Sequence, residues 1–257
     1  MNIGISTATF YTKFLTEQAF PVIKKCGATT CEVFMETFSE YEPDFGDILA
    51  RESKGIEVYS IHSLNTHYEP QLFNRVDRTR EDAEVILRKV LTNAQKMNAK
   101  FYTFHGTTRL KVTSKIKIDS FAKSLTRIAD MCKPYGVTLC LENVHWAAFN
   151  SPEFFKELKP KTDNIGTVLD IKQARQSGRD WREYIDVMGE TIRNVHVSDV
   201  KDGETALVGK GDFPFKELIA RLKDVGYDGP LMIEQYPENY KSIEEIKGAV
   251  EYLESLI

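Results

Sequence analysis

The sequence predicts a single (β/α)₈ barrel over residues 1–257, on three observations: eight short β-rich runs, helical periodicity in the segments between them, and a length that suits one large α/β domain. The runs cover residues 2–7, 29–34, 56–62, 100–105, 137–143, 165–170, 193–197 and 230–235. The first leads through Ser6-Thr7 into Ala8-Thr9-Phe10, without the glycine-rich phosphate turn that a doubly wound open sheet usually carries after its first strand. The second, third, fifth and eighth runs open just after Gly27, Gly55, Gly136 and Gly229, where a glycine ends the preceding helix. Residues 80–97 set Ala83, Ile86, Leu87, Val90, Leu91 and Ala94 on one helical face. Residues 120–135 repeat the pattern with Phe121, Leu125, Ile128, Ala129 and Cys132, and residues 214–225 and 243–256 supply the last helices. Such alternation implies parallel strands, because each crossover returns the chain to the same end of the sheet.

Composition narrows the function. Hydrophobic residues at 42% and charged residues at 28% are enough to bury a core and leave no case for disorder. A formal net charge of −4 excludes a broad basic surface, so nucleic acid is not an expected partner. No apolar run approaches the roughly 20 residues that span a bilayer. The start, Met1-Asn2-Ile3-Gly4-Ile5-Ser6, has neither a basic region nor a long apolar one, so a cytoplasmic protein without membrane attachment is expected. Cys26, Cys31, Cys132 and Cys140 lie in apolar stretches without a CxxC pair and read as buried free thiols.

The informative residues stand where the runs end. A barrel strand is buried on both faces and should read as apolar until it reaches the catalytic rim. Six runs break that rule at His62, His105, Glu142, Asp170, His196 and Glu234, all predicted to face the C-terminal mouth. Carboxylates and imidazoles gathered in a partly apolar mouth repel or desolvate one another unless a cation neutralises them. Glu142, Asp170, His196 and Glu234 therefore read as a metal site, and three carboxylates with one imidazole favour Mn²⁺, Mg²⁺, Co²⁺ or Zn²⁺ over a thiophilic metal. The competing role for any one of these acids is a helix cap or a rim salt bridge.

In order and spacing, several motifs resemble the xylose-isomerase-like barrel superfamily. They are Leu141-Glu142-Asn143, Leu169-Asp170-Ile171, Val195-His196-Val197-Ser198-Asp199, Val208-Gly209-Lys210-Gly211-Asp212-Phe213-Pro214-Phe215 and Ile233-Glu234-Gln235-Tyr236. That group includes sugar-phosphate isomerases, ketose 3-epimerases, hydroxypyruvate isomerase, inosose dehydratase and endonuclease IV, and the resemblance covers nearly the whole chain. It implies that Glu142, Asp170, His196 and Glu234 hold one divalent ion that stabilises an enediolate of a small sugar, sugar phosphate or keto-acid. It further implies that Glu142 and Glu234 exchange the protons as acid and base. His62 and His105 resemble strand-end histidines that contact substrate, and homo-oligomers are expected because relatives often associate. His145 and Trp146 follow Glu142 in the next loop as a pocket wall or hydroxyl contact. His67 and Tyr68, on the third βα loop, read as part of a lid or as solvent-exposed.

Two departures shape the expectation. Endonuclease IV carries a histidine where Gln173 stands and a further one after the seventh strand, whereas no histidine follows His196 here, so a trinuclear zinc nuclease is disfavoured. The epimerases place an arginine a few residues after the seventh-strand histidine; Lys201 is the residue available to contact substrate there, without the fixed fork of a guanidinium. The alternatives to an isomerase or epimerase are a lyase like inosose dehydratase on the same site and a sugar-binding barrel without chemistry.

Overall fold

The computed structural model describes residues 1–109 and 117–257. Its barrel strands are β1 (Ile3–Ser6), β2 (Thr30–Met35), β3 (Glu57–Ser63), β4 (Phe101–Phe104), β5 (Thr138–Glu142), β6 (Gly166–Asp170), β7 (Ile192–Val197) and β10 (Leu231–Ile233). They close in the ring order β1-β10-β7-β6-β5-β4-β3-β2 with every neighbouring pair parallel. The eight predicted runs are these eight strands. Around them lie α1 (Thr16–Lys25), α2 (Phe38–Tyr41), α3 (Pro43–Glu52), α4 (Asp77–Lys96), α5 (Ile118–Cys132), α6 (Pro152–Leu158), α7 (Ile171–Gln176), α8 (Trp181–Met188), α9 (Phe215–Asp224) and α10 (Ile243–Glu254). No helix among the described residues is long and apolar enough to cross a membrane.

The helices pack as their periodicity requires. On α4, Ala83, Leu87, Val90, Leu91 and Ala94 are buried, and on α5, Leu125, Ile128, Ala129 and Cys132 are buried. One punctuation mark moves. Helix α9 stops at Asp224 and the left-handed residue is Gly226, at φ +79°, not Gly229. Gly229 is required for a different reason: a Cβ there would stand 2.7 Å from the hydroxyls of both Tyr59 and Tyr227. All four cysteines are buried free thiols.

A two-stranded hairpin, β8 (Asp199–Lys201) and β9 (Glu204–Ala206), follows β7 and is not among the predicted elements. Its tip is Asp202-Gly203, both at positive φ, the two-residue turn whose twist matches paired strands. At its base the Asp199 carboxylate accepts from the backbone N–H groups of Val200, Gly209, Gly211 and Phe213 at 2.8–3.0 Å. A Cβ on Gly211 would lie 2.1 Å from the Val200 carbonyl oxygen, so the Val208–Phe215 motif is a backbone clamp closed on an aspartate. The hairpin also ties α7 to the segment after β10: Arg175 donates to the Gly203 carbonyl and the Thr205 hydroxyl, and Asn239 donates to the Thr205 carbonyl.

Candidate metal centre

Because strand residues two apart share a face, the barrel interior is built in layers. His62, His105 and His196 each stand two residues beyond a polar strand residue, Ser60 on β3, Thr103 on β4 and Asn194 on β7. These three lie beneath the mouth and are fully buried, and all donate to one carboxylate oxygen, Glu32 Oε2, at 2.7, 2.6 and 3.0 Å. Above this floor the predicted ligands converge. His196 Nδ1 lies 3.4 Å from Glu142 Oε1, 3.2 Å from Glu234 Oε2 and 4.0 Å from Asp170 Oδ2.

Asp170 and Glu142 are held by separate devices. Asp170 ends β6 and caps α7: its Oδ1 accepts from Gln173 N at 2.9 Å, while Oδ2 is left facing the mouth. The predicted cap thus uses one oxygen of the carboxylate and leaves the other available. Asn143 exchanges a pair of hydrogen bonds with the Asp170 backbone at 2.9 and 2.7 Å and locks the ends of β5 and β6 together. Glu142 Oε2 pairs with His105 Nε2 at 2.6 Å, which leaves Oε1 toward His196. Asp170 Oδ2, His196 Nδ1 and Glu234 Oε2 are buried polar atoms with no hydrogen-bond partner among the described residues. Two carboxylate oxygens, 4.0 and 3.2 Å from one imidazole nitrogen, are donors that a hard divalent cation would satisfy. Overlapping donor sets, Glu142/Asp170/His196, His62/His105/Glu142 and Glu32/His62/Glu234, each bring their ligand atoms within 4.8 Å of one another.

The electrostatics fit a cation. Burial pushes the Asp170 carboxyl up to about 6, helped by Glu142 and Glu234 and opposed by Lys172 and His196. Burial acts the same way on Glu142, but the imidazoles of His105 and His196 outweigh it and hold this carboxyl well below the usual range. Burial opposes charge on His196, yet Glu32, Glu234 and Glu142 raise it well above an ordinary histidine. The acids around His196 thus favour positive charge at that point of the mouth.

The other predicted residues divide. His62 and His105 meet edge to face at 4.4 Å; Phe34 lies 4.9 Å from His62, and Trp146 stands edge-on to His105 at 5.5 Å. Together they form an aromatic wall beside the ligands. His145 is exposed and bonds Gln173 Oε1 through Nδ1 at 2.6 Å, outside the cluster. Lys201 is exposed on the hairpin and makes no ion pair or hydrogen bond with the ligand set among the described residues. His67 bonds Tyr41 and stacks on Phe38 at 4.2 Å, whereas Tyr68 is packed inside, 2.6 Å from the Tyr102 hydroxyl.

A family model described as a xylose isomerase-like TIM barrel matches residues 20–256. The protein belongs to this family. An uncharacterized protein of Methanocaldococcus jannaschii is 31% identical over 148 residues, covering 53% of this chain and 50% of that protein. The inosose isomerase of Bacillus velezensis is 27% identical over 153 residues, covering 54% and 55% respectively. The matches thus span about half the length of these curated relatives. Among solved structures, a D-tagatose 3-epimerase-like protein superposes with a TM-score of 0.79 at 22% identity, covering 100% of this chain and 98% of that one. An IolI protein with a bound zinc atom superposes with a TM-score of 0.77 at 20% identity, covering 99% and 96%. At these identities the structures share the fold.

Within this xylose isomerase-like barrel, three charged residues are functional candidates that strand-end reading misses. Glu32 lies inside β2, short of the rim. Glu69 accepts from the backbone N–H groups of His105 and Gly106 at 2.9 and 2.7 Å and from the Tyr102 hydroxyl at 2.6 Å, so it fixes where the loop after β4 begins. Lys172 is buried, 3.6 Å from Asp170 Oδ2 and 3.5 Å from Glu234 Oε1, with its ammonium 4.4 Å from the centre of the Tyr236 ring. Its sequence signal is weak, a lysine two residues after Asp170.

At the rim, burial, with Glu40 and Glu17 nearby, raises the Glu36 carboxyl from 4.5 to about 7. Between these values the folded state binds more protons than the unfolded one, so this group's contribution to stability falls as pH rises, and the penalty is complete above about 7. Glu36→Gln is expected to narrow the difference in Tm between pH 5 and pH 8, with its gain at the higher pH; an unchanged profile in thermal scans contradicts this.

Proposed function

We propose that the protein is a divalent-metal-dependent isomerase or epimerase of a small sugar, sugar phosphate or keto-acid, acting in the cytoplasm. The observation that carries the reading is that Glu142 Oε1, Asp170 Oδ2 and Glu234 Oε2 all lie within 4.0 Å of His196 Nδ1, the last three atoms buried without a hydrogen-bond partner among the described residues. A divalent cation held by these four residues would polarise a substrate carbonyl and fix the oxygen next to it. Glu142 and Glu234 come from strands separated around the ring by β6 and β7, so their carboxylates reach the mouth from different sides. One removes the proton from the carbon beside the carbonyl and the other returns a proton to the neighbouring position or the opposite face. Lys172 braces Glu234, His105 braces Glu142, and Phe34, His62, His105 and Trp146 line one side with aromatic rings. Buried free thiols accord with a reducing compartment.

The partial match to an inosose isomerase supports isomerisation over loss of water. A panel of ketoses, ketose phosphates and inososes in D₂O, incubated with metal-loaded protein, tests the reading. Exchange of the C–H proton beside the carbonyl, with no product lighter by one water, is expected; a dehydrated product identifies a lyase. Metal-loaded protein that exchanges no proton on any member of the panel overturns the proposal.

A further inference from the structure

The charge at the centre of the barrel has no role in the proton transfers described above. Glu32 is fully buried on β2, below the ligands, and its two oxygens do different things. Oε2 takes the three donors Ser60, Thr103 and Asn194. Oε1 takes none, yet it lies 3.2 Å from His196 Nε2 and 3.4 Å from His62 Nδ1. A neutral imidazole has one N–H and one lone pair, and the group facing one nitrogen decides which is which. His196 can offer a lone pair at Nδ1, the nitrogen among Glu142, Asp170 and Glu234, only if Nε2 carries the hydrogen. The neighbours of Nε2 are the Asn194 amide nitrogen at 3.3 Å, which is a donor, and Glu32 Oε1. Only Glu32 accepts.

We propose that Glu32 is a positioning residue that sets the tautomers of two histidines at once. Its Oε1 holds the hydrogen on His196 Nε2, which frees Nδ1 for the cation, and the hydrogen on His62 Nδ1, which leaves Nε2 as an acceptor for a substrate hydroxyl. Both nitrogens of His62 are buried without a hydrogen-bond partner among the described residues, and it is Nδ1 that faces the Glu32 carboxylate, at 3.4 Å, which leaves Nε2 for a ligand. The three donors on Oε2 are what hold the carboxylate in that orientation. The part concerning His196 rests on the metal reading above; the part concerning His62 does not.

Glu32→Gln separates the possibilities. The amide keeps the side-chain volume, and the three donors at the Oε2 position select its oxygen, so the NH₂ group turns toward the histidines. It then donates to His196 Nε2 and forces the hydrogen onto Nδ1, where the cation would sit. Zn²⁺ affinity, measured by chelator competition, is expected to fall about 10- to 100-fold, the range for lost outer partners of metal-bound histidines. The tautomers are read directly from long-range ¹H–¹⁵N spectra of the imidazoles. In wild type, His62 is expected as Nδ1–H with or without Zn²⁺, and His196 as Nε2–H with Zn²⁺ bound. Glu32→Asp retracts the carboxylate by one methylene and should weaken Zn²⁺ in the same direction, which covers a glutamine variant that fails to fold. Wild-type binding with either variant folded and within twofold of its affinity overturns the proposal, as does an Nε2–H tautomer at His62. A second ion per chain on the Glu32, His62 and Glu234 donors also overturns it. Wild-type protein that binds no cation overturns the functional reading instead, and the His62 tautomer in that same sample still decides whether Glu32 directs that ring.

Discussion

Glu234→Gln is expected to lower kcat/KM by about 10²–10⁴-fold, the usual contribution of a positioned acid or base. The glutamine keeps one oxygen where Glu234 Oε2 now stands, 3.2 Å from His196 Nδ1, so the ligand set loses a charge and not its shape. What it cannot do is take a proton. Bound metal should therefore remain at half an ion per chain or more by elemental analysis while exchange of the substrate C–H proton in D₂O is lost. Glu142→Gln should act in the same direction and also disturb the 2.6 Å bond to His105, so its loss should include a rise in KM. Full turnover in either variant would remove the two-carboxylate mechanism. Loss of metal together with activity in Glu234→Gln would recast that residue as a ligand alone.

The second large effect concerns His196. His196→Ala removes the ring around which Glu142, Asp170 and Glu234 are gathered, all within 4.0 Å of its Nδ1. Metal content is expected to fall from about one ion per chain to below about 0.1, since three carboxylates without the imidazole make a weaker and less defined site. Stability provides an independent readout. A cation at 100 times its dissociation constant stabilises the folded state by about 2.7 kcal/mol. In a chain of this size that is roughly 5–10 °C in Tm. A chelator should thus lower the wild-type Tm by that amount and leave the variant unchanged. Equal metal content in the two proteins would sink the assignment of His196 as a ligand.

How much of this was legible before the fold is uneven, for physical reasons. The barrel was legible because alternation of β-rich runs with amphipathic segments is a local pattern, and the eight runs became the eight strands. The hairpin was legible in principle, since Asp202-Gly203 carries a two-residue turn signal, but strands of three residues offer too little periodicity to be noticed. His62, His105, Glu142, Asp170, His196 and Glu234 were legible because each interrupts an apolar strand at its end. For His145, in the loop after β5, and Lys201, at the end of β8, chain order suggests contact with the substrate, while their exposure is set by how those segments fold.

By itself the sequence determined which residues belong to strands, which ends of those strands are polar, and hence that acids and imidazoles gather at one mouth. Periodicity and chemical type suffice for that, because both are written along the chain. The tertiary structure alone decided the partners. Glu32 draws its donors from positions 28, 71 and 162 residues away, and Lys172 meets Glu234 across 62 residues. Neither has a local pattern that sets it apart from an ordinary charge. A buried carboxylate or ammonium is tolerable only when such distant groups arrive to compensate it, and it is closure of the barrel that brings them together.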